Sequence, residues 1–142
     1  MTPDSDILHA TCVAVEGRGV LIQGASGAGK SSLAIRMIAL GAVLVSDDRT
    51  MISAVAGHLV ASCPSPEIRG LIEARGIGVL RAPSSESATI VLAVDLGQPE
   101  DQRLPPPRKV TILGCELDLV LQVQNDHFPS ALILYLRHGR QA

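Results

Sequence analysis

Residues Gly24-Ala25-Ser26-Gly27-Ala28-Gly29-Lys30-Ser31 complete the pattern G-x-x-x-x-G-K-S, and residues of these types in this order hold phosphate. Glycines at 24, 27 and 29 leave room for backbone N–H groups to converge on phosphate oxygens. A helix starting just beyond adds the partial positive charge of its N-terminus. Lys30 supplies a point charge for the β- and γ-phosphates of a nucleotide such as ATP, and the Ser31 hydroxyl is an oxygen ligand of the kind Mg²⁺ prefers. The chain has only two lysines against ten arginines, so a compact ammonium stands where a phosphate needs one. The nucleotide-contacting set is therefore Gly24, Ala25, Ser26, Gly27, Ala28, Gly29, Lys30, Ser31 and the adjoining Ser32.

Such a loop works only between a strand and a helix. Gly19-Val20-Leu21-Ile22-Gln23 is an apolar run of strand type, and residues 32–40 have helical composition up to a stop at Gly41. Ala42-Val43-Leu44-Val45 then reads as a buried strand ending at Ser46-Asp47-Asp48-Arg49, which predicts a right-handed βαβ crossover. A strand over 11–15 turns back at Glu16-Gly17-Arg18-Gly19, and runs 51–54 and 58–61 turn at Gly57 as a second hairpin. Residues 63–78, with three Gly and two Pro, read as loop with one helical turn at most. Residues 89–95 form the clearest buried strand, 97–108 with four Pro a flexible linker or lid, and 110–113 with 116–123 an antiparallel pair turned at Gly114. Asn125 or Asp126 caps a terminal helix over 126–140 with an apolar stripe at Leu132, Ile133 and Leu136.

With 142 residues and 46% hydrophobic content, the chain reads as one α/β domain over 1–142 with a core of its own. A net charge of −2 and two aromatics, Phe128 and Tyr135, offer neither a basic groove nor a stacking platform, which argues against nucleic acid as a partner. The acidic, polar start and the absence of a spanning apolar run argue against a leader or membrane segment, and so for the cytoplasm. Cys12, Cys63 and Cys115 are too far apart in sequence to read as a metal or disulfide set and are expected as reduced thiols.

Four pieces of the chain together resemble the catalytic domain of HPr kinase/phosphorylase, bacterial enzymes that phosphorylate a serine of the phosphocarrier protein HPr. They are Leu8-His9-Ala10-Thr11, the loop Gly24 to Ser31, Val45-Ser46-Asp47-Asp48, and Glu73-Ala74-Arg75-Gly76-Ile77-Gly78, similar to the family's E-x-R-G-x-G signature. His9 lies 21 residues before Lys30, Asp48 lies 18 after it, and Glu73 lies 25 after Asp48. Asp101-Gln102-Arg103-Leu104 resembles a shortened D-R-L segment, so the likeness runs over roughly residues 8–104. The resemblance implies a P-loop kinase-like core with a mixed β-sheet and flanking helices, phosphoenolpyruvate carboxykinase-like. It also implies ATP and Mg²⁺, an HPr-like partner and a homo-hexamer, with the apolar terminal stripe as a contact between subunits or as ordinary core. Two departures from the family are expected: a short form lacking its N-terminal domain, and Gln124 to Pro129 in place of its P-G-R-N type segment, associated with dephosphorylation. The kinase reaction is what carries over. Ala25 and Ser32 also stand where an acidic residue is common.

On the same resemblance Asp48 is the base that accepts the hydroxyl proton, with His9, Lys30, Arg75 and Arg103 as the other catalytic residues. Ser31, Glu73 and Asp47 are the metal-side groups. Successive strand residues point to opposite faces, so Asp47 and Asp48 serve one site only if the strand has already ended. Glu67-Ile68-Arg69-Gly70 has the same E-x-R form as Glu73 to Arg75 and is a decoy. Two other readings stay open: a P-loop kinase or NTPase using Asp95 as its strand-end acid, and a nucleotide-sensing regulator without turnover.

Overall fold

The computed structural model describes residues 4–142; of the polar start, Met1, Thr2 and Pro3 lie outside it. The described chain forms strands β1 (Ser5–Leu8), β2 (Ala10–Val15) and β3 (Arg18–Gln23), helix α1 (Lys30–Ala39), and strands β4 (Val43–Ser46), β5 (Thr50–Val55) and β6 (His58–Ser62). Strands β7 (Leu71–Ala74), β8 (Gly78–Arg81), β9 (Ser87–Pro99), β10 (Arg108–Ile112) and β11 (Cys115–Gln122) follow, and then helix α2 (Phe128–His138).

Nine of the strands form one mixed sheet in the order β1-β5-β6-β9-β3-β2-β4, and β11, carrying β10, also pairs with β9. Strand β9 runs parallel to both β3 and β11 and antiparallel to β6. Its first residues, Ser87 to Thr89, pair with β6, and the stretch from Leu92 onward pairs with β11, both on the edge away from β3. One long strand thus serves two successive neighbours, and the sheet curls there.

The curl explains why the central strands read as unbroken apolar runs. Alternate residues feed two cores, as expected of a sheet covered on both faces. Val13, Val20, Ile22, Leu44, Leu92 and Val94 pack on one face with Leu33 and Met37 of α1 and Leu132, Ile133 and Leu136 of α2. Cys12, Leu21, Val45 and Ala93 point to the other face, where Ile52, Leu59 and Leu117 cover them. Burial holds the Cys12 thiol up at about 12, so it stays protonated and packs as a small hydrophobe. All three cysteines are free.

The α1 crossover joins β3 to β4 with β2 between them, antiparallel to both, so β3 and β4 run parallel as expected. Several boundaries differ from the sequence reading. The stretch read as loop over 63–78 contains β7 and the first residue of β8, a separate two-stranded hairpin. Its exposed strand β8 shows no apolar alternation to detect. The Pro-rich linker is shorter than read, because 97–99 continue β9 and Arg108 opens β10. Glu100 ties its ends: its N–H donates to Gln122 O at 2.8 Å, and its carboxylate accepts from Arg108 Nε and Nη2 at 3.0 and 2.9 Å. That guanidinium holds the Glu100 carboxyl below the ordinary carboxylate range. Helix α2 starts two residues later than read, with His127 at the cap, because Pro129 fits only the first turn; Gly139, at φ 78°, ends it. The stripe Leu132, Ile133 and Leu136 is core, at 3%, 6% and 0% exposure, and is not available as a subunit contact.

Tyr135 of α2 donates its hydroxyl to Asp118 Oδ2 at 2.7 Å, while Lys109 holds the other oxygen. Lys109 first, then Tyr135, hold the Asp118 carboxyl below its usual 3.8. A lowered carboxyl stabilises the fold above its unfolded value, and that contribution disappears as pH falls through the folded one. Tyr135→Phe is expected to cost about 1 kcal/mol at neutral pH, and a difference in urea midpoint that persists undiminished well below pH 3.8 would refute the assignment.

Candidate active site

The loop leaves β3 at Gln23 and is shaped by three glycines with positive φ. A Cβ on Gly24 (φ 153°) would stand 3.0 Å from the Ala28 Cβ and 3.2 Å from the Leu96 Cβ, so this position has no room for a side chain. Gly27 and Gly29 (φ 86° and 105°) have space around them but adopt left-handed backbone. Ala28 N–H donates to Ala25 O at 2.9 Å, closing a turn. Gly29 caps α1 with no side-chain hydrogen bond, so the first N–H groups of the helix remain directed at the cleft.

Lys30 is 5% exposed. Its Nζ donates to Gly24 O at 2.9 Å and Ala25 O at 3.3 Å, folding the ammonium back over the loop, with Asp48 Oδ1 3.9 Å away. The cleft over this loop has a volume of about 510 Å³ and is lined by Ser26, Gly27, Gly29, Lys30, Ser31 and Ser32, by Asp47 and Asp48, and by Glu73 and Arg75.

The two consecutive acids do share the site, by the route the alternation rule left open. Strand β4 ends at Ser46, and Asp48 sits in the left-handed region at φ 67°, a conformation that Asp tolerates better than most residues. Arg49 N–H donates to Asp47 O at 2.7 Å and Ser46 Oγ donates to Arg49 O, so the turn is fastened on both sides.

Each acid then has its own partners. His9, exposed between β1 and β2, places Nε2 2.6 Å from Asp48 Oδ1. Asp47 Oδ1 accepts from Ser31 Oγ at 2.7 Å and from Thr11 Oγ1 at 3.0 Å, and its Oδ2 accepts from Glu73 N–H at 3.2 Å. The Glu73 backbone thereby seats the β7–β8 hairpin on the acid turn, bringing the side chains of Glu73 and Arg75 to the cleft wall.

Thr11 is the residue the sequence reading missed. It is fully buried in β2, donates to Asp47 and accepts from the Asp48 N–H at 3.0 Å. A threonine in an apolar strand reads as an ordinary β-former, and only the fold shows its hydroxyl bridging the acids. Arg36 and Ile35 of α1 and Ile77 of the hairpin also line the cleft unanticipated.

Other candidates do not line the cleft. Arg103 is exposed between β9 and β10 and is not among the residues lining the cleft. Asp95 accepts from Gly97 N–H at 2.8 Å and Gln98 Nε2 at 2.9 Å, so its carboxylate is engaged within its own strand. The decoy is also engaged elsewhere: Glu67 accepts from Ser65 Oγ, and Arg69 pairs with Glu86 at 3.3 Å.

The donor set suits Mg²⁺, which takes hard oxygen ligands, usually one or two carboxylates beside water and phosphate. The Ser31 hydroxyl and Asp47 carboxylate are adjacent at 2.7 Å, with the Glu73 carboxylate on the same cleft. Among the described residues, no group of three or more His, Cys, Asp or Glu gathers as a metal site by itself.

Strand, phosphate loop and helix, an acid pair at the end of the crossover strand, and a mixed curled sheet define a P-loop domain of the α/β kinase class. The chain belongs to the HPr serine kinase C-terminal domain family, whose model matches residues 2–102. It is similar to the HPr kinase/phosphorylase of Clostridium tetani, 40% identical over 87 residues, which are 61% of this chain and 28% of that protein. The HPr kinase/phosphorylase of Bordetella petrii is 43% identical over 74 residues, 51% of this chain and 24% of that one. The chain thus spans about a quarter of the length of these relatives. The solved HPr(Ser) kinase/phosphatase of Coxiella burnetii superposes with a TM-score of 0.77 at 29% identity, covering 93% of both chains.

Proposed function

We propose that this domain is an ATP- and Mg²⁺-dependent protein serine kinase acting on an HPr-type phosphocarrier protein, with the phosphorylase reaction left outside the assignment. The observation that carries this reading is the contact of His9 with Asp48 Oδ1, 3.9 Å from the Lys30 ammonium of the phosphate loop. A phosphoryl group held by the loop would have a base beside it and a cation to take its charge.

In the proposed reaction the acceptor serine oxygen forms a bond to the γ-phosphorus as the bond to the bridging β,γ-oxygen breaks. ADP leaves, and the hydroxyl proton passes to Asp48. His9 occupies Asp48 Oδ1 and so directs Oδ2 at the acceptor. Lys30 and the helix N-terminus neutralise the phosphates, and Arg75 faces the transferring group from the hairpin. Ser31 and Asp47, with Glu73, would hold Mg²⁺, which supplies charge neutralisation on the donor phosphates. Arg103 enters the reading only as a charge brought from the Pro-rich connection. A cytoplasmic setting and a hexamer belong to the same reading. Among the described residues no helix is long and apolar enough to cross a membrane.

Incubation of the purified chain with ATP, Mg²⁺ and an HPr-type acceptor should add one phosphoryl group to a serine, read by mass spectrometry. An acceptor left unmodified at micromolar enzyme would remove the assignment. Thr11 gives a finer check on the site. Thr11→Val keeps the shape but removes the hydroxyl, leaving Asp47 short of one partner and the Asp48 N–H unpaired. It should lower kcat about tenfold, the effect of one or two lost hydrogen bonds. Thr11→Ser should recover most of the rate, and a Val variant with native kcat would show that the bridge is dispensable.

A further inference from the structure

A cavity of about 380 Å³ opens between the start of β3, the proline-rich approach to β10 and the residues after α2. Strand β3 begins here at Arg18 and ends at Gln23 beside the phosphate loop, so about 17 Å of strand separates the two places. Arg18, Arg108 and Arg140 line the cavity from three different parts of the chain, and Val91, Leu119 and Val120 give it an apolar lining. We propose that this cavity binds a small organic dicarboxylate, whose carboxylates pair with Arg18 and Arg140 and whose carbon chain lies on the apolar lining.

Charge is the first argument. Arg108 is already matched by Glu100, which it holds through Nε and Nη2. Arg18 and Arg140 are exposed and form no ion pair among the described residues, and Arg140 donates only to the backbone oxygen of Pro105. Asp118 is the one acidic side chain lining the cavity, and Lys109 and Tyr135 occupy its two oxygens. Two guanidinium groups are thus left without a counter-charge. Both act on Tyr135: burial first, then Asp118, hold its hydroxyl up at about 12, and Arg140 and Arg18 pull against that rise. The two cations therefore lie within electrostatic reach of one point in the cavity.

The kind of anion is the second. A guanidinium engages a carboxylate through two parallel N–H donors, the arrangement Arg108 already makes with Glu100. A compact phosphate is best held by backbone N–H groups at a helix N-terminus. This cavity instead meets the C-terminal end of α2, where Gly139 lines it and the helix carries partial negative charge. Two single charges separated by carbon suit that surface better than one concentrated double charge. The apolar lining adds a contact that an inorganic anion cannot use.

The chain has one Tyr and no Trp, and that Tyr135 lines this cavity and not the phosphate cleft. Its emission is therefore a local reporter. Titration of the full chain with succinate at constant ionic strength should change Tyr135 emission saturably, and sodium chloride alone should not. Glycerol phosphate should need about tenfold more ligand for half-saturation or fail to saturate. The double substitution Arg18→Gln with Arg140→Gln, both exposed and outside the catalytic cleft, should raise the half-saturating succinate concentration at least about tenfold, the size expected for lost charge-assisted bonds. The absence of a saturable change overturns the proposal, as does an equal response to chloride. A double variant that titrates like the native chain, or glycerol phosphate binding as tightly as succinate, overturns it too. The proposal goes beyond the kinase reading, which none of these outcomes touches.

Discussion

Replacing Asp48 by Asn is expected to lower the rate of phosphoryl transfer by about 10²–10⁴-fold, the range a positioned base contributes, while nucleotide binding stays within about threefold. Asn fills the same volume and tolerates the left-handed backbone that Asp48 adopts at φ 67°, so the turn that also positions Asp47 should survive. Its amide can still bond His9, but it has no carboxylate to take the serine proton. Single-turnover transfer to the acceptor, alongside calorimetric ATP binding, separates the two quantities. Asp95→Asn is the matched control, expected to leave the rate close to native because its partners are Gly97 and Gln98. If Asp95→Asn proved the damaging change and Asp48→Asn a mild one, the catalytic acid would be Asp95, which lies within β9 and not at its end, and the site would need redrawing.

Lys30→Met should reduce kcat by about 10²–10³-fold, the cost of removing one preorganised donor from a phosphoryl-transfer site, and should weaken ATP binding as well. Methionine suits the test because position 30 is 5% exposed and an unbranched thioether fills the same channel without the charge. The ammonium also donates to Gly24 O and Ala25 O, so the variant leaves two loop carbonyls short of a partner. Stability is therefore expected to fall by a further 1–3 kcal/mol, an order-of-magnitude range for unsatisfied polar groups. Lys30→Arg should restore the charge but not the rate, since a planar fork cannot fold back over the loop as a point charge does. Full activity in Lys30→Met would show that the loop is not the donor site.

Much of this site was legible because its constraints are local. The loop pattern, the strand before it and the helix after it lie within 31 consecutive residues, 19–49, together with the acids at the end of the crossover strand. Spacing from His9 and Glu73 to that unit selected the family. What stayed hidden depended on contacts distant in sequence. Strand β1 is short and half polar, and takes its structure from pairing with β5 at the sheet edge. Strand β8 shows no alternation because it is exposed throughout, β7 is only four residues long, and the prolines just before the hairpin and the glycines within it read as loop. Thr11 is 36 residues from Asp47, and no spacing rule pairs a threonine with an acid over that distance.

The sequence by itself determined that a phosphate-loop pattern runs from Gly24 to Ser31 between a strand and a helix, and that Asp47 and Asp48 stand at the end of the strand after that helix. Backbone freedom and charge at single positions are enough for that. Only the tertiary structure decided that both acids face one cleft, through the left-handed turn at Asp48 and the Thr11 hydroxyl behind it. It also placed Leu132, Ile133 and Leu136 in the core, since an apolar stripe becomes core or contact surface only according to what packs over it.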